Sequence, residues 1–290
     1  MSTANVVWAA EPGWLTKKRQ LAQALEKQFP PFPDQDQWLP WQVGSQNNSN
    51  GWLKGRCADY IAEPLQQAVQ DYSDFLQENL MEKGIKWQDN QLFAAHLAQL
   101  DGGQFIYVPD NRQVSTVLRF TPRGTMTNPH NVIIVGANSR ATIEEKMLIK
   151  SAQPLFAATE LLVGANAQVS FRQDNQLRAP QLFQGLNIYQ AQGAHVTTDL
   201  NLFNEGKVAI SYSNFLDGDD SQWDARATLK PGHFGSLHLI PKVSGTGQQS
   251  RAQLVTRVAE QFGGRVKVEP FAVASGSTVT ASEQTISATK

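Results

Sequence analysis

Histidine and cysteine are the side chains from which proteins most often build metal and nucleophile sites. This chain has five histidines and one cysteine. His233 and His238 lie five positions apart and could share the end of a strand, but neither an HExxH motif nor a cysteine accompanies them. His130 follows Pro129 in a predicted turn, where a structural role is favoured. We therefore predict no metal-binding residue.

The remaining candidates for catalysis are a thiol and a pair of carboxyl groups. Cys57 follows Arg56, whose charge would favour the thiolate, but we predict a buried and inert thiol. Glu144 and Glu145 are adjacent, so on a strand they face opposite sides and cannot work together as an acid–base pair. The sequence therefore predicts no catalytic residue and a protein that is not an enzyme.

Nucleotide and calcium motifs are also missing from the sequence. It contains neither a GxxxxGK[ST] phosphate loop nor a GxSxG nucleophile elbow. The GTG at 245–247 departs from the dinucleotide fingerprint, and we predict a turn there. The DGDD at 217–220 lacks the spacing of an EF-hand, and we predict a solvated hairpin turn. No cofactor-binding residue is predicted.

A repeat dominates the elements that would position any site. The sequence VGAN occurs at 135–138 and again at 163–166, and a weaker copy, QGAHV, follows at 192–196. Recurrence at this period is typical of stacked units that bury one face against the next, here a β-solenoid. We predict that Asn138 and Asn166 occupy equivalent corners of neighbouring coils, with Val135 over Val163 inside. Two ordinary β-turns with chance matches are the alternative.

Strand-like runs separated by Gly, Asn, Asp and Pro follow one another from about Leu92 onward. Residues 250–262 fit either a helix or a strand, and residues from 271 fit either a final weak coil or a frayed tail. The predicted strands cover residues 105–108, 132–135, 141–143, 161–163, 169–171, 196–203, 208–212, 237–240 and 266–268. We expect a mainly β protein whose β-helix core covers residues 92–290.

Residues 1–91 form a predicted N-terminal helical region. One helix is predicted over 13–29, with Leu21, Leu25 and Phe29 on its apolar face, and prolines end it. A second is predicted over 63–83, with Pro64 in its first turn and Gly84 at its C-terminal cap. Between them, Trp38 and Trp41 are expected to anchor an extended arm onto the body of the protein.

Composition limits the classes of partner and the compartment. The net charge is −1, so no global basic field favours nucleic acid or an anionic membrane. The N-terminus lacks the basic and apolar regions of a signal peptide, and no apolar run reaches the length of a membrane span. A single cysteine fits a reducing compartment. We predict a soluble cytoplasmic protein that binds neither nucleic acid nor membrane.

Five segments, taken in their order and spacing, resemble the SufB/SufD family of iron–sulfur cluster assembly proteins. They are EPGWL (11–15) with its following helix, PDQDQW (33–38), GQFIYVP (103–109), HNVIIVGANSRATIEE (130–145) and residues 159–169. The resemblance is most specific over residues 11–170 and thins out through 190–285.

The resemblance implies a helical N-terminal region and a right-handed parallel β-helix core. It implies a non-catalytic scaffold subunit that pairs with a SufB-like subunit, each of the two binding a SufC-like ABC ATPase. In such complexes, ATP-driven closure of the ATPases strains the interface where a nascent cluster forms. No cofactor is expected on this chain alone, because a cluster would form only with the partner.

The sequence departs from the family in one respect. No His-Gly-Ala-Thr segment and no C-terminal helical subdomain, the part that docks the ATPase, occur in residues 1–290, and no histidine follows His238. The family's interface histidine is therefore assigned to no position here, and we do not expect ATPase docking through that subdomain. A fragment, a truncated gene product and a degenerate paralogue all fit this departure.

Two other functions fit a β-helix. One is a polysaccharide-active enzyme, which would need clustered acids or bases on one face of the solenoid; the sequence shows no such cluster. The other is a protein-binding module that uses the Trp38 and Trp41 arm or the helix predicted at 63–83. Co-purification with SufB-like and SufC-like proteins would separate these functions from the scaffold role.

Overall fold

Strands that alternate between two sheets make up most of the chain after Leu100. The computed structural model describes Trp8 and residues 10–32, 50–124, 126–259 and 264–288. The strands are β1 (Gly55–Arg56), β2 (Ile61–Pro64), β3 (Gln104–Val108), β4 (Gln113–Phe120), β5 (Arg123–Gly124), β6 (His130–Val135), β7 (Arg140–Glu145), β8 (Leu148–Lys150), β9 (Leu155–Val163), β10 (Gln168–Arg178), β11 (Gln181–Gln190), β12 (His195–Asn204), β13 (Lys207–Leu216), β14 (Gln222–Pro231), β15 (Ser236–Gly245), β16 (Arg251–Ala259), β17 (Arg265–Val268), β18 (Ala272–Val273) and β19 (Thr280–Ala288).

The two sheets face each other across one apolar core. The first, here called the covered sheet, runs in the order β1-β2-β3-β6-β9-β11-β13-β15-β17, with β18 also on β15. The second, the opposite sheet, runs β4-β7-β10-β12-β14-β16-β19. From β3 onward the neighbouring strands in both sheets are parallel, as expected when each coil gives one strand to each sheet. The protein is a parallel β-solenoid of about seven turns, which confirms the predicted fold class.

The repeat predicted from VGAN is present in three dimensions. Val135 on β6 pairs in register with Val163 on β9, and both side chains are buried in the core. Inward and outward positions alternate along each strand, because successive side chains of a strand point to opposite faces. The stacked valines therefore confirm that the repeat places equivalent residues over one another.

Asn138 and Asn166 occupy equivalent corners, as predicted. Both have a left-handed backbone with φ of 56°. Asn tolerates this conformation better than most residues. The Asn166 side chain donates to Asn138 Oδ1 at 3.3 Å, and Asn138 donates to Asn111 Oδ1 at 3.2 Å. The weaker third copy supplies the next corner, where Gly193 has φ of 65°.

Among the described residues, four helices form a layer on the outer face of the covered sheet. They are α1 (Gly13–Leu25), followed by a single 3₁₀ turn (Glu26–Gln28), α2 (Leu65–Asp71), α3 (Ser73–Asn79) and α4 (Gln91–Ala98). Outward-facing Phe105, Phe156 and Phe183 are buried in one cluster with helix residues such as Leu76 and Phe93. The layer thus covers the first coils of the solenoid.

The helix predicted over 63–83 is wrong in its extent. Residues 61–64 instead form β2, which pairs antiparallel with β3. Pro64 is the N-cap of α2, with ψ of 139°, and does not lie in the first turn. A break at Tyr72, with φ of −128°, separates α2 from α3, and α3 ends at Asn79, well before Gly84. Pairing with β3 and packing onto the sheet outweigh the local helical pattern.

The helix predicted over 13–29 is confirmed, but its buried face is different. Leu21 is 48% exposed, whereas Arg19 is 6% exposed. Arg19 Nε lies 3.1 Å from Glu11 Oε2, and Nη1 donates to the Leu100 carbonyl at 2.9 Å. Burial lowers the pKa of Arg19 to about 10 despite its acidic neighbours. The buried face of α1 therefore includes the paired guanidinium of Arg19 and excludes Leu21, which was predicted to be buried.

Four further predictions concern the 250–262 segment, the tail, and the DGDD and GTG segments. Residues 251–259 form a strand, β16, and the tail contributes β18 and β19 to a last coil. The DGDD segment is a corner that joins β13 of the covered sheet to β14 of the opposite sheet and not a hairpin. At 245–247, Gly245 ends β15, and the turn lies just after the predicted segment, at 248–249. Trp38 and Trp41 lie outside the described residues. Among the described helices, none is both long enough and apolar enough to cross a membrane.

Candidate functional site: a lysine-lined groove beside a buried histidine–glutamate network

A groove of about 510 Å³ opens where the helical layer stops and leaves β13 and β15 uncovered. Its floor is the outer face of β11, β13 and β15, and its wall is the 83–90 loop with Phe32 and Phe93. Volumes of several hundred Å³ are typical of small-molecule sites. The groove is therefore a candidate binding site.

Polar residues from three successive coils meet on the groove floor. Asn187, Ser213 and Lys242 are aligned across the three strands by their register. Neighbouring strands lie about 4.8 Å apart, so these side chains are adjacent. Ser211 lies two positions before Ser213 and donates to Asn187 Oδ1 at 3.5 Å. The floor is rich in hydroxyl, amide and ammonium donors.

The wall of the groove brings two more lysines, Lys83 and Lys86, and one carboxyl group, Asp89. The Lys83 ammonium lies 5.8 Å from the centre of the Tyr189 ring, within cation–π range. Partial burial raises the pKa of Asp89, and the charges of Lys86 and Lys242 oppose that shift. Three cations against one anion make the groove electropositive.

Glu160 holds the wall in place from beneath. Its carboxylate accepts from Met81 N at 2.8 Å and from Ile85 N at 2.7 Å, so both ends of the 81–85 turn are fixed to β9. At Gly84 an added Cβ would lie 3.0 Å from the Asn187 carbonyl and 3.5 Å from Glu160 Cβ. The turn therefore sits directly on the sheet, and glycine is the residue that permits this approach.

The same carboxylate ends a chain of buried hydrogen bonds. Glu160 Oε2 lies 3.0 Å from His130 Nε2, and His130 Nδ1 lies 2.9 Å from His96 Nε2. His96 Nδ1 lies 2.6 Å from Asn128 Oδ1, while Asn128 Nδ2 donates to the His96 carbonyl at 2.9 Å. All four side chains are buried. The chain joins α4, β6 and β9.

Asn128 Oδ1, the acceptor at one end of this row of hydrogen bonds, fixes the position of the proton on His96. Because Asn128 Oδ1 can only accept, His96 carries its proton on Nδ1 and accepts at Nε2 from His130 Nδ1–H. Burial, followed by the neighbouring His130, lowers the pKa of His96 well below its ordinary value, which agrees with a neutral His96 ring. The buried network positions the wall and offers no atom to a ligand.

A second buried carboxyl group lies inside the solenoid. Glu145 Oε2 accepts from Thr159 Oγ1 at 2.7 Å, and Oε1 accepts from the Gln173 amide at 2.8 Å. Asn131 and Asn175 also donate to Glu145. Burial raises the pKa of Glu145, and these donors oppose the shift. Glu144 faces the outside and pairs with Arg119 at 2.6 Å, which confirms the predicted opposite faces.

The structure separates the residues that the sequence raised as candidates for chemistry. Cys57 is exposed, so the prediction of a buried thiol is wrong; it directly follows β1, which lies at the edge of the covered sheet. His238 pairs with Glu269 at 2.9 Å, and His233 packs instead on Phe234. Within the described ranges, no group of three or more His, Cys, Asp and Glu residues is placed to hold a metal ion.

Part of the chain is similar in sequence to a known protein. No family model matches the chain. The chain is similar to a SufD protein. It is 25% identical over 177 residues to the iron–sulfur cluster assembly protein SufD of Bacillus subtilis, which covers 56% of this chain and 39% of that protein. The chain therefore spans well under half the length of this relative, and the similarity indicates a distant and partial relation to the SufB/SufD family.

No local sequence pattern points to the groove. Asn187, Ser213 and Lys242 lie in three different coils, and each looks like an ordinary outward strand residue. Glu160 was also missed. A signal exists there, since Glu160 follows His130 by 30 residues, about one coil, and the two side chains meet because of that spacing.

Proposed function

We propose that this chain is a non-catalytic scaffold subunit of an iron–sulfur cluster assembly complex. The observation that carries the proposal is the similarity to Bacillus SufD, which is named as an iron–sulfur cluster assembly protein. The parallel solenoid supports it, because a long rigid stack of coils offers extended surfaces for other subunits. In this proposal the chain pairs with a SufB-like subunit in the cytoplasm, and a SufC-like ABC ATPase supplies ATP hydrolysis.

The partners are tested by co-expression of the chain with SufB-like and SufC-like proteins from the same organism. We expect an affinity-tagged chain to retain the SufB-like protein through size-exclusion chromatography, with the ATPase retained through that subunit. The control is the tagged chain carrying Val135→Ala and Val163→Ala, whose weakened core should reduce capture. A folded chain that captures neither protein at micromolar concentration would contradict the proposal.

Cluster assembly is tested separately by anaerobic reconstitution with iron and sulfide. A stable cluster generally needs about four thiolate or imidazole ligands, and Cys57 is the only cysteine of the chain. We therefore expect no stoichiometric cluster on the isolated chain and a cluster only in the presence of the SufB-like subunit. Iron quantification and visible absorbance give the readout.

The exposure of Cys57 makes Cys57→Ser the necessary control, since an accessible thiol can collect iron or bridge two chains. We expect Cys57→Ser to leave cluster formation with the partner unchanged. A stoichiometric cluster on the isolated chain that is lost in Cys57→Ser would make Cys57 a ligand and overturn the scaffold role.

A further inference from the structure

We propose that the groove between the 83–90 loop and β11, β13 and β15 binds a small organic phosphate. The proposal does not depend on the scaffold role, because it rests on the residues of the groove and not on the similarity to SufD.

The groove carries an excess of positive charge. Lys83, Lys86 and Lys242 line the groove, and Asp89 is the acidic residue among its lining residues. Among the described residues, none of the three lysines has a salt-bridge partner within 4.0 Å. The protein as a whole carries a net charge of −1, so this excess of positive charge is local. A ligand with two or more negative charges would restore the balance.

The groove floor presents hydrogen-bond donors that suit a phosphate group. Ser211, Ser213 and Ser244 bring hydroxyl groups to the floor, and Asn187 brings an amide whose nitrogen has no hydrogen-bond partner among the described residues. Hydroxyl, amide and ammonium groups all donate to phosphate oxygens, and lysine binds phosphate as a point charge. A phosphate monoester presents three acceptor oxygens and about two negative charges, whereas a carboxylate presents two oxygens and one charge. This donor set favours phosphate over a carboxylate ligand.

Apolar and aromatic side chains flank the polar floor of the groove on both sides. Phe215 lies two positions after Ser213 and stacks on Tyr189 with ring centroids 5.9 Å apart. Ile240 and Phe93 add apolar surface on the other side. A site with charge at its centre and aromatic surface beside it fits a phosphate attached to a flat organic group. The volume of about 510 Å³ is enough for such a molecule.

The backbone around the groove is held in place before any ligand binds. The turn that carries Lys83 is fixed at both ends by Glu160, and Glu160 is in turn bonded to His130. The floor residues stand on paired strands of one sheet. A ligand would therefore meet side chains whose backbones are already in place, and binding would cost less ordering entropy.

The test is isothermal titration of the full chain with three probes: inorganic pyrophosphate, adenosine 5′-monophosphate and adenosine. We expect the two phosphate compounds to bind and adenosine not to bind. The Lys83→Ala, Lys242→Ala double variant should raise the Kd for the phosphates at least tenfold, and added salt should weaken binding in the wild type.

The control is Lys230→Ala, which removes one positive charge from the outer face of β14 in the opposite sheet and is compared with Lys83→Ala and Lys242→Ala, each measured singly as well. Its Kd should equal that of the wild type, and circular dichroism should show all variants folded. Phosphate binding that is absent, or that is unchanged in the double variant, overturns the proposal. Lysine-dependent binding of a glutamate-rich peptide without phosphate binding also overturns it, because the groove would then be a protein-docking site.

Discussion

Truncating the stacked valines tests the physical basis of the repeat. Val135 and Val163 are 0% and 1% exposed and are paired in register on β6 and β9. Replacing either with alanine removes two methyl groups from the solenoid core. If the repeat is the unit that buries apolar surface, both substitutions should destabilise the protein, and by similar amounts.

The size of the effect follows from burial. Two buried methyl groups contribute about 1.6 kcal/mol at roughly 0.8 kcal/mol each. The cavity that remains adds a further cost when neighbours cannot relax, so we expect a loss of about 1–3 kcal/mol for each substitution. Because the two side chains are neighbours, the double variant should depart from additivity by about 0.5 kcal/mol or more.

Urea unfolding followed by circular dichroism measures these losses. Val117→Ala is the matched control, since Val117 is 41% exposed on β4 of the opposite sheet and should change stability by less than about 0.5 kcal/mol. An unchanged m-value shows that the substitutions alter stability and not the extent of unfolding. If Val135→Ala and Val163→Ala prove as neutral as Val117→Ala, the valines do not share a core and the repeat argument is refuted.

Three further predictions concern the corners and the buried network. Asn138→Ala should cost about 1–2 kcal/mol, because it removes the hydrogen bonds between corner side chains and places alanine in a left-handed conformation; Asn138→Gly should cost less in the same urea assay. Glu160→Gln should speed hydrogen exchange at Met81 and Ile85, because it weakens the acceptor that fixes both amides; exchange equal to the wild type would contradict this role. The pKa of His96 is lowered in the folded state, so the unfolded chain binds the extra proton first, and stability should fall as the pH drops below about 6.5; His96→Asn should flatten that fall, measured by thermal unfolding at several pH values.

Much of the solenoid could be predicted from the sequence because its determinants are local and repeated. Alternating apolar residues favour strands wherever they occur, and the small VGAN segment recurs at a spacing that is typical of stacked coils. The corner conformation was also predictable in outline, since Asn138 and Asn166 are residues that tolerate a left-handed backbone. Strands β11 and β14 were missed because glutamine, glycine and charged residues interrupt their apolar pattern.

The position of each side chain relative to distant segments was decided only by the tertiary structure. The apolar stripe over 63–83 fits one helix, but pairing of β2 with β3 pulls its first residues into a strand. Arg19 is buried because Glu11 and the Leu100 carbonyl are brought to it, which no local pattern records. The groove combines Lys83 from a loop with Ser213 and Lys242 from two coils. Contacts between residues so far apart depend on how the coils stack and where the helical layer ends. Neither of these can be read from a local sequence pattern.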